Sequence, residues 1–105
     1  MIVERIIGSI ISDNDESYLS MLEGVVSSVD EYSRLIIHKF PSTFNFRIIP
    51  SEGVYLNNIV NEVLKLHTML GIKVNMSKSM KTSGIFEFQI KIIKNYGQSS
   101  KKENK

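Results

Sequence analysis

The sequence predicts an α+β protein, an antiparallel sheet with two helices packed on one face, in the order β-α-β-β-α-β-β. Three observations lead there. Leu19, Leu22, Val25, Val26 and Val29 recur at helical spacing, and so do Leu56, Ile59, Val60, Val63, Leu66 and Leu70. Between these stretches, Phe44, Phe46 and Ile48 alternate with Asn45 and Arg47, the period of a strand with one buried face. Two amphipathic helices on one side of a mainly antiparallel sheet is the economical packing of such elements.

Taken in order, residues 1–12 are rich in isoleucine and broken only by Gly8, which favours a strand. Glu4 and Arg5 come early and no small-residue cleavage site follows, so a strand is expected there and not a signal peptide. Asp13-x-x-Glu16 has capping-box spacing, and a helix is predicted over residues 15–29. Tyr32, Leu35, Ile36 and Phe40 would allow that helix to continue to residue 40. The turn at Phe40-Pro41-Ser42 instead favours a hairpin of residues 32–39 with 43–49. Pro50 ends the second strand, Ser51 is placed to cap the next helix with Glu52 in its first turn, and Gly71 is placed to end it. Residues 72–76 and 85–93 read as two further strands joined by the polar stretch 77–84. The domain is expected to span residues 1–95. The lysine-bearing tail, 96–105, has no apolar residue after Tyr96 and is expected to be disordered.

Composition narrows the function. A chain of 105 residues has room for one domain. It has no cysteine, which excludes disulfides and thiolate metal sites and suits the cytoplasm. No apolar run reaches the roughly 20 residues of a membrane span. The net charge of +2 hides a division. Residues 1–70 carry nine acidic and five basic side chains, a balance of −4, and residues 71–105 carry eight lysines against Glu87 and Glu103, a balance of +6.

Little in the chain suggests catalysis. His38 and His67, the only histidines, fall in different elements and are read as structural. Asp13, Asp15 and Glu16 lack the glycine and distal glutamate of a calcium loop, and a helix N-terminus accounts for them. The glycines stand singly, so there is no phosphate-binding loop. No cofactor and no metal are expected, and the chain is read as a non-enzyme.

Binding is the better prospect. Lys73, Lys78, Lys81, Lys91 and Lys94 form a candidate nucleic-acid surface acting through phosphate electrostatics. Phe86, Phe88 and Tyr96 are the aromatic residues nearby, although the two phenylalanines alternate as core residues do. Apolar residues on both sides of Ile6-Ile7 and Leu35-Ile36-Ile37 give the sheet a reason to meet another chain, most simply a second copy.

The element order and one local pattern resemble a known family, the small dimerising subunit of the KEOPS complex, which supports threonylcarbamoyladenosine formation in tRNA. The family's second helix carries a pattern like Leu-Arg-Ala-x-x-Asn-Ser-x-Leu-Arg-x. Here Leu56, Asn61, Leu64 and the basic Lys65 fall in register, while Asn57, Asn58 and Glu62 depart from it. The resemblance covers about residues 2–70. It implies a non-catalytic subunit that homodimerises through its sheet, docks its helices on a larger catalytic protein and helps hold tRNA. By this resemblance Leu35, Ile37, Leu56, Val60, Val63 and Leu64 would serve protein contacts, and the lysines would serve tRNA. The alternative is a stand-alone nucleic-acid-binding domain that uses the C-terminal lysine cluster.

Overall fold

A computed structural model describes residues 1–7, 11–76 and 84–91. The order is β1 (Ile2–Ile7), α1 (Asp13–Val29), β2 (Arg34–Lys39), β3 (Thr43–Ile49), a 3-10 turn (Gly53–Tyr55), α2 (Leu56–Leu70), β4 (Asn75–Met76) and β5 (Phe86–Lys91). This is the predicted class and order. The sheet runs β1-β2-β3-β5-β4. The β2–β3, β3–β5 and β5–β4 pairings are antiparallel, whereas β1 lies parallel to β2 with α1 as the crossover. β5, last in sequence, is inserted between β3 and β4, both of which run antiparallel to it.

Alternation decides the faces. Leu35 and Ile37 of β2, Phe44, Phe46 and Ile48 of β3, and Phe86, Phe88 and Ile90 of β5 are all buried on one side. Tyr18, Leu19, Leu22 and Val26 of α1 and Ile59, Val63 and Leu66 of α2 complete the same core. Phe46 stands opposite Phe88 in the ladder, their rings stacked with centroids 4.9 Å apart. Tyr18 meets the edge of Phe46, and His67 meets the edge of Phe88.

The helix ends differ from the sequence reading in instructive ways. α1 starts two residues earlier than predicted, because the capping box is Ser12–Asp15 and not Asp13–Glu16. The Asp15 amide donates to Ser12 Oγ (3.1 Å), and the Ser12 amide donates to Asp15 Oδ2 (3.4 Å). Glu16, left out of the box, accepts from Arg5 on β1 at 2.9 Å. Ser51 does not cap α2. Its amide and hydroxyl both donate to the buried carboxylate of Asp30 at the end of α1, at 2.7 and 2.8 Å. The chain then enters α2 through the 3-10 turn, with no side-chain cap on Tyr55. Gly71 does end α2, in the left-handed region at φ 71°, where a side chain would be strained. After it, strand pairing is confined to Asn75–Met76, while Ile72 and Val74 pack against the core. Residues 92–95 of the last predicted strand, the stretch 77–83 and the tail 96–105 lie outside the described residues.

A polar contact inside the core joins the helices. The Tyr18 hydroxyl and His67 Nε2 are 2.6 Å apart, and His67 Nδ1 is 2.7 Å from the Val63 carbonyl. A carbonyl can only accept, so Nδ1 carries the proton and Nε2 accepts from the tyrosine. Burial pushes the His67 imidazole below its ordinary value, outweighing the Val63 carbonyl bond, which raises it. Burial also pushes the Tyr18 phenol up. His67 is therefore neutral in the fold, and the unfolded chain takes up a proton that the native chain refuses. This contribution is complete above the ordinary histidine value of 6.5 and declines as pH falls below it. Denaturant titrations across that range are expected to show wild type losing stability relative to His67→Leu on acidification, by at most about 1.4 kcal/mol per pH unit. Parallel pH curves for the two proteins would refute the assignment. Truncating the ring pair is a harsher change, and Phe88→Ala is expected to cost about 3–5 kcal/mol in the same titration.

Candidate binding surface

With the helices on one face, the polar half of each strand's alternation collects on the other. Register arranges these side chains in transverse rows. One row crosses all five strands: Ile6 lies opposite His38, His38 opposite Asn45, Asn45 opposite Gln89, and Gln89 opposite Asn75. The next runs Glu4, Ile36, Arg47, Glu87, and the third Ile2, Arg34, Ile49. Arg34 donates to Glu4 and Arg47 to Glu87, each at 2.8 Å. The first row, together with Ile36, Arg47 and Glu87 of the second, lines an open groove of about 380 Å³, with Met76 on its β4 side. That volume is in the range of small-ligand sites, roughly 300–1,000 Å³.

The groove has three chemical features. Asn45, Gln89 and Asn75 are three neighbouring carboxamides, each offering a donor and an acceptor. Among the described residues, Asn45 Oδ1 is shut off from solvent and has no hydrogen-bond partner, an unusual state for a polar atom in a folded protein. Beside them the His38 and Phe40 rings stack at 4.4 Å, and Phe40 remains 39% exposed. Among the described residues, no group of three or more His, Asp or Glu side chains is arranged to hold a metal ion.

The sequence-predicted residues divide. Lys73 and Lys91 are exposed, and Lys91 is two residues along β5 from Gln89 on the same face. Lys78, Lys81 and Lys94 lie outside the described residues. Leu35, Ile37 and Val63 are completely buried between sheet and helices, so they are core residues and present nothing to a second chain. The cause is the alternation itself: in β2 the positions facing away from the helices are Arg34, Ile36 and His38. Leu56 and Val60 are half-buried against the core, and Leu64 is half-buried as well. On the helix layer the exposed apolar side chains are Met21, Met69 and, in the 3-10 turn, Val54. Phe86 and Phe88 are in the core, as their alternation suggested, and Tyr96 is outside the described residues.

The groove residues went unread in the sequence. Alternation in β3 and β5 already sets Asn45, Arg47, Glu87 and Gln89 on a common parity. What it does not reveal is that β5 inserts beside β3, which brings those residues together.

No protein-family model matches this chain, and no curated protein matches its sequence. The architecture defines the class: a two-layer α+β domain with one sheet face uncovered among the described residues. No helix of the described residues is long and apolar enough to cross a membrane.

Because the Arg47–Glu87 bridge is largely exposed on the arginine side, with 54% of that side chain accessible, it adds little to stability. Arg47→Ala is expected to shift the thermal unfolding free energy by less than about 1 kcal/mol. A larger loss would show that the groove wall is part of the structural framework.

Proposed function

We propose that this chain is a non-catalytic scaffold subunit of a cytoplasmic tRNA-modifying complex of the threonylcarbamoyladenosine type. It pairs with a second copy through its sheet, carries a larger catalytic protein on its helix layer, and assists tRNA binding. The resemblance of the Leu56–Leu70 helix to the family pattern suggests the reading, and one structural observation carries it: the outer edge of β1. This strand of six residues ends the sheet with exposed Ile2 and Ile6, 59% and 52% accessible. Charged residues ordinarily protect such an edge from pairing. Here the two charges on β1 are engaged within the chain, Glu4 with Arg34 and Arg5 with Glu16 and Glu23. Among the described residues no strand pairs with the outer edge of β1, which suits strand addition, with a second copy as the simplest partner. Met21 and Met69 on the helices suit the catalytic partner, and Lys73 and Lys91 suit phosphate.

Native mass spectrometry and sedimentation velocity test this directly. The expected species has twice the 12.0 kDa chain mass and falls to the monomer in Ile6→Lys. A tagged chain expressed in its native host is expected to retain one larger catalytic protein. A monomer at all concentrations, with no such protein retained, would overturn the proposal.

A further inference from the structure

The geometry points to the open sheet face as a site for an unpaired nucleobase of single-stranded RNA, seated in the groove over Asn45 and Gln89 and stacked on Phe40. This rests on the reading that the chain acts on RNA, and it adds a specific site that the lysines do not supply. Lysines hold phosphates without regard to the base. The groove has what a base requires. Carboxamides pair a donor with an acceptor at the spacing of a purine edge, and adenine's N6 and N7 are the usual match for Asn and Gln. Asn45 lines the groove, and among the described residues its Oδ1 has no partner. Aromatic surface is available beside the groove, where Phe40, 39% exposed, stacks on the lining residue His38. Lys91 lies two residues from Gln89 on the same strand face, about 7 Å along β5. That offset suits a phosphate attached to the nucleotide whose base sits in the groove. The β1 edge, used for pairing in the reading above, is at the far side of the sheet from Gln89 and Asn75, so a second copy leaves these residues accessible.

Fluorescence anisotropy with the full chain decides the matter, using a labelled single-stranded oligoadenylate of about eight nucleotides. The comparison ligands are an abasic strand of the same length and an RNA duplex. Wild type is expected to prefer the oligoadenylate to both. Phe40→Ala and Gln89→Ala are each expected to weaken it about fivefold or more without changing the salt dependence. Lys91→Ala is expected to make the log–log salt slope shallower by about 0.7. Circular dichroism confirms that each variant is folded, and if Phe40→Ala is not, the exposed Gln89 decides alone. Equal binding of the abasic strand, or wild-type affinity in both Phe40→Ala and Gln89→Ala, overturns the site. So does a dimer that Phe40→Ala dissociates while the oligoadenylate fails to bind, because the groove would then be a protein contact. Oligomeric state measured on the same samples separates the two proposals. A dimer without base-dependent binding sinks the groove alone, and a monomer with it sinks the scaffold alone.

Discussion

Phe46 and Phe88 face each other across two strands that are far apart in sequence, and their stacked rings hold β5 in register with β3. A one-residue slip would turn Phe86, Phe88 and Ile90 out of the core and Glu87 and Gln89 into it. The cost of burying those polar groups beneath two helices makes the register effectively unique. On the other face, the same register sets Asn45 beside Gln89 and Arg47 beside Glu87. The polar groove is thus a consequence of aromatic packing on the side it does not share.

The helices close the core in a second way. Tyr18 and His67 are both buried and both polar, and each satisfies the other at 2.6 Å while also packing against Phe46 and Phe88. A buried tyrosine or histidine without a partner would be costly, so this bond fixes how α1 and α2 sit relative to each other. Asp30 makes a comparable tie at the other end, joining the close of α1 to Ser51 ahead of α2. His67 and Asp30 are each engaged in connecting elements.

Much of the architecture was legible from local pattern. The two helices, the Pro41 hairpin, the glycine stop at Gly71 and the core parity of β3 and β5 all follow from spacing that neighbouring residues enforce. Errors arose where several residues compete for one local role. Ser12 and Asp13 both make good caps, and the choice fell to Ser12 because Glu16 is drawn to Arg5 on another element. Ser51 has the right chemistry and position for a cap, yet its donors go to Asp30 across the fold. Among the candidate contact residues, Leu35, Ile37 and Val63 are apolar, and that same apolarity puts them in the core.

By itself the sequence determined which residues are apolar at which period, and so the element types, their order and the buried parity of β3 and β5. These depend on contacts within a few residues, where chain geometry leaves few options. Only the tertiary structure decided that β1 runs parallel to β2, that β5 slots between β3 and β4, and that Ile6, His38, Asn45, Gln89 and Asn75 form one row. Period two tells a strand which side to bury and says nothing about its neighbour. Neighbours are chosen by long-range packing, here by Phe46 against Phe88 and by two helices that must cover a single apolar face.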